Sequence, residues 1–436
     1  MKFLKPILLA VLTLCLLPLS AHAGGLYLYE LGTPDVGLAA AGYAARAQDA
    51  STAFTNPAGM TRLKETQVQF GAQPMYLHVK FNPDGNTGFG PTMTAIKGPL
   101  AGDDGDASGW IPAGGLFMVT PLTPDLSFGF SVAGNFGLGL DYGDDWVGRY
   151  YLKEVLLQGI TLAPALAYRI NDQVSIGASA NAMYGTLKEK IAVNNAALLN
   201  PGYPDGELKL EDNVWGFGGT VGVLVEPQPG TRFGATYMTR TKLDFEAKTE
   251  FSGLRPALAT ALDSRGLLDA KLKLPLETPQ AVMLSAFHQL SDRLAIMGNL
   301  GWQDWSQFGK LDVTVAAEDT SSLTVDRQYK DTWHAALGAQ YQWSEPLLLS
   351  GGIAYDSEMV DEKDLTPDLP SGAMWRFGAG GQYAWSEALT LNCAYELVWM
   401  GDLSMDVNRG PLAGRVSGEY ESMAIHNIVL GLNWTF

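Results

Sequence analysis

The chain is poor in cysteine, in charge and in basic residues above all. It has two cysteines in 436 residues, too few for a disulfide framework. Cys15 falls in the N-terminal leader described below, so the exported chain keeps Cys393 alone and has no intramolecular disulfide. Charged residues make up 17% of the chain, where about a quarter is usual in soluble domains. Lys and Arg number 29 against 46 Asp and Glu, for a net charge of −17. A nucleic-acid partner, which would need a basic face, is therefore excluded. Beyond the leader the histidines are His78, His288, His334 and His426, and none stands in a nucleophile arrangement, so no enzyme is expected. The run Asp103-Asp104-Gly105-Asp106 lacks the full spacing of a calcium loop, and no metal or cofactor is expected. After residue 23 no segment offers about twenty apolar residues free of charge and of repeated Gly or Pro, which argues against a helical membrane span.

What is present is apolar, aromatic and rich in glycine. Hydrophobic residues are 47% of the chain, and there are 50 glycines, 11 Trp, 17 Tyr and 17 Phe. Such a chain is too apolar to be disordered, yet its mean hydropathy of +0.02 is neither plainly soluble nor plainly helical-membrane. Residues 1–23 read as a secretory signal peptide. Lys2 and Lys5 precede an apolar core from Ile7 to Leu17, and Ala21-His22-Ala23 forms the cleavage site. A lipoprotein reading of Cys15 is disfavoured by Leu14 before it, where a small residue is wanted.

Period-two alternation dominates the exported chain. Leu389, Leu391, Cys393, Tyr395, Leu397 and Trp399 share one parity, with Asn392, Ala394 and Glu396 on the other. The same pattern marks 332–343 and the terminal Ile428, Leu430, Leu432, Trp434 and Phe436. Successive strand residues face opposite ways, so each segment is apolar on one side and small or polar on the other. Fourteen such segments are predicted: 67–80, 110–120, 126–140, 158–170, 173–187, 213–225, 231–245, 280–290, 293–308, 332–343, 346–357, 374–385, 388–400 and 424–436. Six tight turns alternate with long loops near 81–109, 141–157, 188–212, 246–279, 309–331, 358–373 and 401–423. An all-β, antiparallel up-and-down transmembrane barrel has this rhythm, with one rim trimmed and the other elaborated. Aromatics near the strand ends (Trp302, Trp305, Trp343, Trp375, Trp385, Trp399) fit interfacial girdles. A soluble β-sandwich, the competing architecture, has no use for apolar outer faces on nearly every strand. Residues 24–66 do not alternate; they are small and turn-rich, and they can sit outside the barrel or plug it, leaving 67–436 as the barrel proper.

Several segments together resemble the FadL/TodX-type outer-membrane transporters of long-chain fatty acids and other hydrophobic compounds. Asp49-Ala50-Ser51-Thr52 through Asn56-Pro57-Ala58-Gly59-Met60 is similar to that family's hatch signature. Trp146-Val147-Gly148-Arg149-Tyr150, Leu274-Pro275 with Ala286-Phe287-His288-Gln289, Trp302 to Phe308, Gly352 to Asp356 and Thr366 to Pro370 resemble later stretches in the right order. The resemblance implies fourteen strands with the hatch inside the lumen. It also implies a ligand groove between the extracellular loops at 188–212 and 246–279, an inner site, hatch movement, and lateral exit at an inward kink in the third strand. By order, groove residues would be Ile191, Val193, Leu198 and Leu199 facing Leu254, Leu258 and Leu262, the last three at helical i, i+4 spacing. The kink would fall at Gly134, Asn135, Phe136 and Gly137, where glycines permit a broken ladder.

The implied partner is a hydrophobic small molecule, a fatty acid or an aromatic or alkane hydrocarbon, with outer-membrane lipid and lipopolysaccharide around a monomer. Fifteen methylenes cost on the order of 12 kcal/mol to bring into water, so an open aqueous pore does not serve such cargo. A fatty carboxylate would want a cation, and Arg149, Lys188, Lys190, Lys310 and Arg376 are the candidates; an uncharged substrate needs none. A general porin with a polar channel is the rival reading, against which many inward positions are Gly, Ala and Ser.

Overall fold

The computed structural model describes residues 27–29, 31–195, 203–315 and 322–436. The proposed signal peptide lies outside them, as do the side chains of 310–315 and 322–326. Among the described residues, fourteen staves form the wall: β1 (Gln67–His78), β2 (Gly109–Pro121), β3 (Leu126–Asp141), β4 (Glu154–Arg169), β5 (Val174–Val193), β6 (Gly206–Gln228), β7 (Thr231–Met238), β8 (Ala281–Gln289), β9 (Leu294–Gln303), β10 (Thr332–Ser344), β11 (Leu347–Asp356), β12 (Met374–Ala384), β13 (Leu389–Asn408) and β14 (Arg415–Thr435). Each pairs antiparallel with the next. The ring closes where β1 bonds both β2 (Gln67↔Val119) and β14 (Gln67↔Thr435). Closure gives every stave a partner on both sides, the condition for spanning lipid with strands. Beyond a short break, β7 and β8 continue above the barrel as Lys242–Ser252 and Lys271–Glu277.

Parity decides which side chains meet lipid. On β10, Trp333, Leu337, Tyr341 and Trp343 are exposed outward, while His334, Ala336 and Gln340 are buried. The outward aromatics form two belts. Trp110, Trp215, Trp333, Trp375 and Trp399 lie toward the long loops, and Tyr168, Trp343, Trp385 and Phe436 toward the tight turns. Trp333 and Trp343 are ten residues apart, about 33 Å along a strand. At a tilt near 40° that gives about 25 Å of height, the thickness of an outer-membrane apolar band.

Three expectations are corrected. Trp305 is not a girdle residue: β9 stops at Gln303, and a helical turn, Trp305–Phe308, carries Trp305 into the lumen at 4% exposure. Much of the region expected as loop at 188–212 is strand, since β5 runs to Val193 and β6 starts at Gly206. The 401–423 loop shrinks to a hairpin tip between Asn408 and Arg415. Ladder pairing continues past the membrane because backbone groups satisfy one another there as well as water would, and alternation becomes polar on the outside.

The lumen is filled from the tight-turn end by residues 31–63, nearly all buried. Two caps shape this hatch. Thr33 receives the Asp35 amide and opens a 3-10 turn at Pro34–Leu38, and Asn56 receives the Ala58 amide and opens another at Pro57–Arg62. Each puts proline just inside the turn, where its missing N–H costs nothing.

Candidate functional site

The hatch is held by shape and by hydrogen bonds from the wall. Gln73, Asn299 and Ser285 accept from the amides of Gly32 (2.6 Å), Gly42 (2.6 Å) and Ala44 (3.0 Å). Arg232 donates to the carbonyls of Ala45 and Arg46, both at 2.8 Å. Within the hatch, Arg46 bridges Asp35 and Asp49, each at 2.7 Å and all three buried, so its charge is balanced internally. Asn56 is the hinge pin of the motif: its amide donates to Ala44 O (2.6 Å) and to Val223 O on β6 (3.1 Å). Ala58 and Met60 are fully buried, a Cβ on Gly59 would strike Thr52, and Pro57 lies against Gly177 of β5. Wall glycines make the close fit possible, since a Cβ on Gly352 or Gly378 would collide with hatch backbone at Leu38 or Val36.

Above the hatch lies a narrow chamber with about 70 Å³ of free space. Its sides are Leu77, Leu138, Leu140, Val398, Met423 and Ile425, its roof Met359, Leu369 and Pro370, and its floor Tyr27, Leu28 and Tyr29. Methionines Met359, Met374, Met400 and Met423 give it an adaptable lining. Trp305 and Gln303 close one side.

The wall is broken beside this chamber. β2 and β3 pair only from Pro121↔Ser127 to Gly115↔Ala133, although β2 continues to pair with β1 as far as Gly109. At that point β3 shifts register between Gly134 and Phe136, leaving Asn135 as the extra residue. The hatch N-terminal segment bonds into the freed edge, with a bridge between Tyr27 and Phe136 and the Leu28 amide donating to Asn135 O at 3.1 Å. Thr161 donates to the Asn135 side chain at 2.6 Å, steadying the bulge from β4. Gly137 follows on the part of β3 that pairs with β4 alone.

The loop residues are brought together in part. Ile191 and Val193 sit at the top of β5, half-buried, and Leu198 and Leu199 lie outside the described residues. The helix Pro256–Asp263 carries Leu258 and Leu262, which with Leu254 are half-buried on one side. Asn195 joins the two loops, donating to Gly253 O (2.9 Å) and Pro204 O (2.7 Å) and accepting the Arg255 amide (3.0 Å).

Of the candidate cations whose side chains are described, Arg376 alone lines the chamber. Arg149 is spent at the long-loop rim on Asp205 (3.1 Å) and Ala101 O (2.7 Å). Lys188 and Lys190 share Glu154, the latter at 2.7 Å. The Lys310 side chain lies outside the described residues. Burial raises the Asp205 carboxyl pKa, but hydrogen bonds from Lys97 and Tyr150 and the nearby cations outweigh it and hold the value below the ordinary carboxylate range. Asp356, His334 and Glu396, all buried around Arg376, were not expected at the site. The available signal was parity: an acid at an inward position of a membrane strand, such as Glu396, asks for a partner on the neighbouring stave.

A closed, plugged barrel with a lipid-facing apolar belt and an enclosed apolar chamber is built as an outer-membrane transport barrel. The comparisons agree. The profile described as "Outer membrane protein transport protein (OMPP1/FadL/TodX)" matches residues 14–436, so the chain belongs to that family. It is 30% identical over 369 residues to outer membrane protein P1 of Haemophilus influenzae, covering 77% of each chain. It is 28% identical over 373 residues to the long-chain fatty acid transport protein of Escherichia coli O6:H1, covering 79% of this chain and 80% of that one. In fold it is similar to the crystal structure of a Pseudomonas aeruginosa FadL homologue, with a TM-score of 0.83, 19% identity, and 95% and 100% of the two chains covered.

Proposed function

We propose that the protein carries hydrophobic small molecules, long-chain fatty acids or similar compounds, inward across the outer membrane by ligand-gated passive diffusion. Cargo is collected between the two long loops joined by Asn195, enters the chamber, and leaves sideways into the bilayer where β2 and β3 part. One observation carries this reading: Tyr27 and Leu28 are at once the chamber floor and the bonding partners of the bulge at Asn135–Phe136. A ligand that displaces this segment frees the β3 edge in the same movement. Lateral release never exposes the cargo to water, which avoids the cost of about 0.8 kcal/mol per methylene. The chain is exported through cleavage of residues 1–23 and works as a monomer surrounded by lipid and lipopolysaccharide. Uptake of a labelled long-chain fatty acid, a toluene-like hydrocarbon and a small sugar, with and without residues 24–60, tests the proposal. Intact protein should pass hydrophobic cargo and exclude sugar, and the truncated chain should leak. Sugar flux through the intact protein would establish the porin reading instead.

A further inference from the structure

Resting on the chamber assigned above, we infer that its cargo is uncharged there: a hydrocarbon, or a chain ending in a neutral ester, hydroxyl or protonated carboxyl group, and not an ionised carboxylate. Among the described residues Arg376 is the single basic residue lining the chamber, and its charge is already matched. Its Nε donates to Asp356 Oδ2 at 2.6 Å, and its Nη1 lies 3.9 Å from Glu396 Oε2. Two carboxylates therefore face one guanidinium. His334 Nδ1 meets the other Asp356 oxygen at 2.7 Å, and even if protonated it brings the cluster only to neutrality. All four side chains are at most 10% exposed. An arriving carboxylate would have to compete with buried acids for the cation or remain unpaired in an apolar cavity, and either is costly.

The other polar groups at this end are neutral, and chemistry sets their orientation. The Trp305 indole N–H can only donate, so the Gln303 atom that receives it at 2.7 Å is oxygen, and Nε2 is left without a partner. Likewise Glu396 accepts from Asn427 Nδ2 at 2.6 Å, leaving Asn427 Oδ1 unpartnered. Both residues line the chamber. One amide donor and one amide acceptor suit a hydroxyl, ester or protonated acid, and they impose little on a bare hydrocarbon.

The test is binding of laurate, methyl laurate and dodecanol to the purified full-length protein at pH 8, read by quenching of intrinsic tryptophan fluorescence. The ester and alcohol should bind at least tenfold more tightly than the carboxylate, corresponding to about 1.4 kcal/mol. In Glu396→Gln and, separately, Asp356→Asn, Arg376 is released and the preference should shift toward laurate by a similar factor. Wild-type protein that binds laurate as tightly as its ester overturns the inference while leaving the chamber intact. If none of the three ligands binds, the chamber reading itself falls, and the inference with it.

Discussion

The two halves of the lumen are filled by different chemistries. Toward the tight turns the hatch is packed backbone to backbone through glycines and alanines and is bonded to Gln69, Gln73, Ser285, Asn299 and Arg232. Toward the long loops the chamber is lined mainly by Leu, Ile, Val and Met, with Arg376, Asp356, Gln303 and Asn427 among them. Close packing and directed hydrogen bonds specify one seat and hold it. Loose apolar lining accepts many shapes and holds each weakly. A transporter of this kind needs both, a plug that fits one way and a site that lets go.

This contrast can be broken experimentally, beginning with the hatch half. Gly352→Val puts a side chain where Leu38 backbone lies. It should prevent the hatch from seating, with loss of the heat-modifiable folded band on gels and entry of small solutes into cells. Arg46→Ala leaves Asp35 and Asp49 buried without their cation. It should loosen the hatch by about 3–5 kcal/mol, seen as faster amide exchange over residues 31–63. Asn56→Ala removes three hydrogen bonds, to Ala44, Val223 and Ala58. The same exchange measurement should report about 2–3 kcal/mol. In the chamber half, Met423→Ala should lower affinity for a neutral ligand by about 1–2 kcal/mol while the barrier to small solutes stays intact. If Met423→Ala caused leakage, or Asn56→Ala weakened binding alone, the division between the halves would be wrong.

The smallest effect belongs to pH and the long-loop rim. Asp205 has a lowered pKa in the folded protein, so its contacts with Lys97, Arg149 and Tyr150 stabilise the loops above the ordinary carboxylate pKa of about 4. That contribution is lost as pH falls through the lowered value. Amide protection factors around residues 97–103 and 145–153, taken relative to the intrinsic exchange rate at each pH, should thus be flat from pH 7 to about 5 and fall only in stronger acid. In Asp205→Asn the protection should be missing at every pH.

Fold was the more legible part of the molecule. Strand alternation around Trp333–Trp343 or Leu389–Trp399 is imposed by lipid on one side, a constraint each residue meets individually. Strand ends were less legible. Pairing above the membrane carries no hydropathy signal, so β5, β6, β13 and β14 run longer than expected, and Trp305 was assigned to a belt it does not join. The carboxylate-binding candidates show the limit for sites. Arg149, Lys188 and Lys190 each read as a free cation in one dimension, yet each is committed to an acid far away in sequence or across a stave.

What the sequence determined alone is the period: which faces meet lipid, how many staves there are, and where turns and the non-alternating hatch must fall. These follow from local rules, side-chain parity and the cost of unpaired backbone in lipid. Only the tertiary structure decided that Tyr27 and Leu28 would reach the bulge at Asn135, that β2 and β3 would part there, and that Arg376 would be matched by Asp356 and Glu396. Those are contacts between distant segments, and closure of the barrel sets them, since it fixes which inward positions become neighbours.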